Sequence, residues 1–193
     1  MFRNLRNPVL HLIVCGAQSA GELEPFVKTC QEQGWDVWIV PTPAAAAFVN
    51  SDALAELTGH PVRVDYPPPN EPDDPPPAGA VAVVPATFNT INKLAYGTSD
   101  SFALGLVHEA IGLGVPILAM PALDPALSRH PVFAESVNRL RTWGVSVLFH
   151  RTYLPSAAAT GGTPGEDLPW HAAEELLGGW IRFARITPLA QAG

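Results

Sequence analysis

Hydroxyl and amide side chains crowd one junction of this chain, PATFNTINKLAYG at residues 85–97, where the apolar run AVAVV gives way to helical sequence. Thr87, Asn89 and Thr90 there offer hydrogen-bonding groups at a helix start, whose free backbone N–H groups favour an anion. Comparable junctions recur along the chain. GAQSAG follows the first apolar run, and its Gly16, Ala17 and Ser19 let a ligand approach the backbone closely. PTPAAAAF, with Thr42, follows the second run, and PALDP, with Ala122 and Asp124, follows a later one. Hydroxyls and helix-start amides fit a phosphate better than a metal, and Cys15 and Cys30 form neither metal-ligand nor CxxC spacing. Thr87 is equally well accounted for as a plain helix cap. Neither GxGxxG nor GxxxxGK[ST] occurs, so dinucleotide and nucleoside triphosphate binding lack their fingerprints.

The elements that must position these junctions alternate along the chain. Residues 9–16 read as a buried strand, 20–33 as a helix ending at Gly34, 36–40 as a second strand and 43–57 as Ala-rich helical sequence. AVAVV at 80–84 is a third strand, followed by the helix begun in PATFNT, another helix over 101–112, the strand 116–120, a helix near 131–143 and the strand VSVLFH, 145–150. Strands that are apolar throughout and separated by helices predict a parallel sheet covered on both faces, a doubly wound α/β arrangement. Ligands in such sheets bind beyond the carboxyl ends of the strands, where the hydroxyl-bearing junctions fall. Two segments break the alternation: the Pro-rich acidic loop 66–79 and the Gly-rich flap 155–169, which precedes a closing helix over 170–185. Neither reads as a linker, and a single domain over 1–193 is expected.

Composition narrows the function classes. The chain has 193 residues, 47% of them apolar, enough for one well-buried core, and its net charge of -7 argues against a phosphate-tracking nucleic-acid binder. The apolar stretch 102–120 carries His108, Glu109, Gly112, Gly114 and Pro116 inside it, which suits helix, turn and strand rather than a membrane span. The apolar run near the start is short and feeds a loop, so no secretion signal is expected. Buried reduced thiols in a cytoplasmic protein are the expected state of Cys15 and Cys30.

PATFNTINKLAYGTSDS, with LTGHPV, GVPILAMPAL and RHPVF in sequence order, resembles the homo-oligomeric flavin-containing cysteine decarboxylase family over residues 10–149. That family includes phosphopantothenoylcysteine decarboxylases, lantibiotic-peptide decarboxylases and, more distantly, flavin prenyltransferases. The first segment matches the family's PASANT stretch. The resemblance implies a three-layer Rossmann-like (flavodoxin-like) fold and an FMN site at subunit boundaries of a trimer or a multiple of trimers. It implies that Gly16, Ala17, Gln18, Ser19 and Thr42 border the flavin and its phosphate. Thr87, Phe88, Asn89 and Thr90 form a second wall, Ala122 lies close by, and Phe88 and Met120 offer apolar surface to the ring system.

Two departures bear on the reaction. The family's decarboxylases carry an active-site His shortly before the PASANT segment; here that position falls near Glu71, in the Pro-rich loop, and no histidine lies between His60 and His108. Where the family's PxMNxxMW motif places an Asn that helps hold the substrate carboxylate, PALDPALS places Asp124. An ionised carboxylate offers acceptors but no donors and repels another carboxylate. No catalytic residue is assigned; Asp124 and His60 are weak candidates, and His60, ahead of Pro61 at an expected strand start, reads first as an exposed structural residue. His130 is expected to cap a helix and His108 to pack. The expected function is an FMN-binding flavoprotein acting on a small molecule as a divergent decarboxylase (lyase) or an oxidoreductase. A non-catalytic flavin-binding or regulatory protein is the alternative.

Overall fold

In the computed structural model, which describes residues 7–68, 75–149 and 168–186, five parallel strands form one sheet in the order β2-β1-β3-β4-β5. The strands are β1 (Val9–Val14), β2 (Asp36–Pro41), β3 (Ala80–Ala86), β4 (Ile117–Pro121) and β5 (Ser146–Val147). The helices are α1 (Leu23–Gln33), α2 (Ser51–Thr58), α3 (Phe88–Ala95), α4 (Phe102–Leu113), α5 (Pro125–Ser128), α6 (Pro131–Thr142) and α7 (Trp170–Ile186). The chain reverses its direction of travel across the sheet between β1 and β3, which opens a crevice at their carboxyl ends.

The doubly wound expectation holds because strand side chains alternate between two apolar layers. Leu10, Leu12 and Val14 face one core, with Phe26, Val27 and Cys30 of α1 and Leu177 and Ile181 of α7. Ile13, Val81 and Val83 face the other, with Leu94 of α3, Val107 of α4 and Leu140 of α6. Leu23, Phe26, Val27 and Cys30 lie on one stripe of α1, at helical spacing, which is why that helix seats one face on the sheet. Both cysteines are free and buried as expected; burial, with Glu174 nearby, pushes the Cys30 thiol up to about 12, so it stays an inert core group.

The boundaries differ from the sequence reading where the chain needs turns. The helix expected over 20–33 is split: Gln18–Glu22 is a 3-10 helix, and the α-helical stretch begins at Leu23. Residues 43–57 divide likewise into a 3-10 helix, Pro43–Ala47, and α2, whose start is fixed by the Asn50 side chain accepting from the Ala53 amide at 3.2 Å. β3 runs two residues beyond AVAVV, through Pro85, with a register shift against β4 between Val83 and Ala86. Of the described residues of VSVLFH, Ser146 and Val147 alone join the sheet, and His150 lies outside the described residues. The apolar stretch 102–120 is α4 and β4, joined through Gly114, whose φ of 68° suits a residue without Cβ. Among the described residues no helix is long and apolar enough to cross a membrane. The Pro-rich loop is described only at its two ends, so Glu71, Asp73 and Asp74 lie outside the described residues, as does the flap up to residue 167.

One polar residue on β1 ties that loop down. His11 is 4% exposed, and its Nε2 lies 2.8 Å from the Pro76 carbonyl, while Nδ1 has no partner. Burial pushes its pKa down from the ordinary value of 6.5, against smaller opposing effects of the Pro76 carbonyl and the Glu109 charge. Above pH 6.5 neither folded nor unfolded chain carries the proton, and folding is unaffected. As pH falls below 6.5 the unfolded chain takes up a proton that the folded chain resists, so stability declines until the folded value is passed. Urea unfolding at pH 8 and pH 5.5 is expected to give a lower midpoint at pH 5.5, with part of that loss absent in His11→Gln.

Candidate functional site

The carboxyl ends of β1, β3 and β4 open onto a cavity of about 500 Å³, lined by three loops and a few apolar side chains. Gly16, Ala17, Gln18 and Ser19 come from the loop after β1; Thr87, Phe88 and Asn89 from the start of α3; Ala122, Leu123 and Asp124 from the loop after β4. Backbone hydrogen bonds hold the loops to each other. The Cys15 amide donates to the Pro85 carbonyl at 3.1 Å, and the Ala122 amide to the Ala86 carbonyl at 2.9 Å, so all three loops share β3 as their support.

Gly16 is required where it stands. A Cβ built on it would lie 2.9 Å from the Ala44 carbonyl oxygen and 3.1 Å from its carbon, backbone atoms that cannot swing aside. Close passage of the loops after β1 and β2 therefore depends on a hydrogen at this position. Ser19, 3% exposed, lines the cavity, and its buried hydroxyl has no hydrogen-bond partner among the described residues. A buried hydroxyl without a partner costs about 1–3 kcal/mol, a penalty that a ligand acceptor removes.

Thr87 is the N-cap of α3: its Oγ1 accepts from the Thr90 amide at 3.3 Å and lies 3.0 Å from the Thr90 hydroxyl. The remaining first-turn amides of α3 have no intrahelical partners and lie beside the cavity. Thr90 is turned the other way. It is buried, does not line the cavity, and hydrogen-bonds the Cys15 thiol, whose pKa burial raises against the pull of Thr90 and the Thr87 backbone. Phe88 is fixed by aromatic neighbours, with His130 edge-on at 5.7 Å and Phe133 at 6.3 Å.

The other sequence candidates lie elsewhere. Met120 is fully buried in the core on the α1 and α7 side and does not line the cavity. Thr42 is buried as well; its amide donates to the Val14 carbonyl at 2.8 Å, and its side chain stays out of the lining. His60 is at the other end of the sheet: its Nε2 contacts Asp36 Oδ1 at the start of β2, and its ring stacks on Trp38 with centroids 3.9 Å apart. That makes it part of a structural group with Asp36 and Trp38. His130 caps α6, Nδ1 accepting from the Val132 amide at 3.2 Å.

Asp124 does line the cavity and, among the described residues, is the only charged side chain in its lining. It occupies the N-cap position of α5 without making a side-chain cap hydrogen bond. Phe48, Leu123 and Leu127 also line the cavity and were not among the sequence candidates. Phe48 and Leu123 sit in the post-strand segments PTPAAAAF and PALDP, so position alone pointed to them, whereas Leu127 is brought in by the short turn of α5 that Pro125 begins. A second concavity, about 590 Å³, runs along α1 and α7 past Gln33, His171 and Arg182; no strand terminus opens onto it. Among the described residues no group of His, Cys, Asp and Glu is placed to hold a metal ion.

Comparison with known proteins gives this crevice a context. A family model described as Flavoprotein matches residues 2–168. The chain is 27% identical, over 155 residues, to the coenzyme A biosynthesis bifunctional protein CoaBC of Thermococcus kodakarensis, an alignment covering 76% of this chain and 37% of that protein. It spans roughly a third of the length of the first curated relatives it matches. In fold it is similar to the FMN binding protein AtHal3, with a TM-score of 0.70 at 19% identity over 94% of this chain and 99% of the other. It is likewise similar to the FMN-dependent cysteine decarboxylase SpaF, with a TM-score of 0.69 at 20% identity over 91% of this chain and 98% of the other.

Proposed function

The chain belongs to the flavoprotein family, and from that premise we propose that its crevice binds FMN and serves flavin-dependent chemistry on a small molecule. The observation that carries this reading is the unpartnered, buried Ser19 hydroxyl in the wall of a cavity that also receives the start of α3. A phosphate suits both: it accepts from the hydroxyl and from first-turn amides, and it needs no metal. Gly16, Ala17, Gln18 and Ser19 would hold one side of the cofactor, Thr87, Phe88 and Asn89 the other, with Ala122 beside them. Phe88, braced by Phe133, and Leu123 provide apolar surface for a ring system. Thr90 supports the site through the Thr87 cap, Thr42 by tying the loop after β2 to β1, and Met120 from the core beneath.

Bound FMN would supply electron-accepting redox chemistry, and the protein's part is orientation and exclusion of water. The reading is a divergent decarboxylase or an oxidoreductase, as a homo-oligomer of trimeric symmetry. The exposed Phe48 and Leu127 at the cavity mouth give a second copy an apolar surface to pack on. A second reading, a flavin-binding protein without catalysis, is favoured by one observation: among the described residues the lining holds no histidine, and Asp124 is its only carboxylate.

Titration of the purified protein with FMN and with riboflavin, followed by quenching of flavin fluorescence, tests the reading. FMN is expected to bind about tenfold more tightly or better, since charge-assisted hydrogen bonds to the phosphate are each worth roughly 1.5–3 kcal/mol. Equal affinity for the two would remove the phosphate cradle, and binding of neither would remove the flavin. In the same titration His60→Ala is expected to change FMN affinity by less than about twofold, because its contacts with Asp36 and Trp38 lie at the far end of the sheet.

A further inference from the structure

We infer that the β4 side of the cavity selects a ligand bearing a cationic group, an amine or amidine, through the carboxylate of Asp124. This rests on the reading of the cavity as the flavin and substrate site. Among the described residues Asp124, which is exposed, is the only charged side chain in the lining, and its carboxylate makes no hydrogen bond or ion pair. Arg129 and His130 are the nearest basic residues in sequence; neither lines the cavity, and His130 is engaged at the start of α6. A second polar residue, Ser19, lines the same cavity from the loop after β1, and its buried hydroxyl has no partner among the described residues.

The sheet separates the strand ends from which these two loops leave. β3 separates β1 from β4, so loops leaving β1 and β4 are two strand spacings apart, about 10 Å. The cavity therefore has an end suited to an anion, near Ser19 and the α3 amides, and an end suited to a cation, at Asp124. Between and around them lie Phe48, Leu123 and Leu127, which favour an apolar body. A carboxylate-bearing ligand placed at the β4 end would be repelled by Asp124, whose ionised side chain offers it no donor. An amine there gains a charge-assisted contact.

The test uses the full chain loaded with FMN and three probes of similar shape, benzylamine, benzyl alcohol and benzoate, read by perturbation of the flavin absorption spectrum. Benzylamine is expected to bind about threefold or more tightly than benzyl alcohol at low salt, with benzoate weakest, and the preference is expected to shrink as salt is raised. In Asp124→Asn the amine and the alcohol are expected to bind equally. Benzoate binding best, or an order of affinities unchanged by Asp124→Asn, overturns the inference. Flavin retention is recorded for each protein first. Flavin retained with no preference for the amine sinks this inference alone, whereas failure of the wild type to retain flavin sinks the underlying reading and this inference with it.

Discussion

Ser19→Ala is expected to weaken FMN binding roughly 10- to 100-fold while leaving the flavin-free protein as stable as the parent, or more stable by up to about 1 kcal/mol. The two signs are opposed for one reason. In the absence of ligand the hydroxyl is buried without a partner, so its removal relieves a desolvation cost. On the proposed reading the same hydroxyl would donate to the phosphate of bound FMN, and its removal would delete a charge-assisted hydrogen bond. A serine retained for structure would show the reverse, a loss of stability with little change in affinity. Chemical denaturation of the flavin-free variant alongside FMN titration separates the two roles.

Gly16→Val is expected to act on both quantities in the same direction. Its Cβ would fall 2.9 Å from the Ala44 carbonyl oxygen, and relief requires the loop after β1 or the loop after β2 to move. Overpacking of this kind costs about 1–3 kcal/mol. The displaced loop carries Ala17, Gln18 and Ser19, so flavin retention is expected to be lost along with the stability. Gly21→Ala is the matched control, since a Cβ there meets nothing within 4 Å. Thermal unfolding and flavin absorbance of both variants check the pair.

Much of this arrangement was legible in the sequence because the physics behind it is local. Uninterrupted apolar runs between helical segments announce strands buried on both faces, and hydroxyls and small residues just past those runs mark the crevice. What was not legible depends on packing at a distance. Because all of β4 is apolar, nothing in its sequence tells which residues point toward the cavity side; Met120 faces the α1 and α7 core instead. Thr87 and Thr90 look equivalent as hydroxyls near a helix start, yet one turn of helix sends Thr90 inward to the Cys15 thiol. The strand read as AVAVV, ending at Val84, continues past Pro85 to Ala86 through a register shift against β4, although proline cannot donate to a ladder.

His11 carries a similar lesson. Within VLHLIV it is one polar residue in an apolar strand, and only the fold reveals that the Pro-rich loop returns to meet it at Pro76. His60 was a candidate on chemistry alone. Its position beside Asp36 followed from the geometry of α2 returning to the start of β2, which residue type does not encode.

The central claim, that the crevice is a flavin phosphate site, is tested most directly by the visible absorption spectrum of the purified protein after FMN is added and the excess removed, with Ser19→Ala and Asn89→Ala alongside. The account predicts a bound flavin spectrum in the parent and diminished absorbance in both variants. A colourless parent protein, or variants that retain flavin as fully as the parent does, would contradict it.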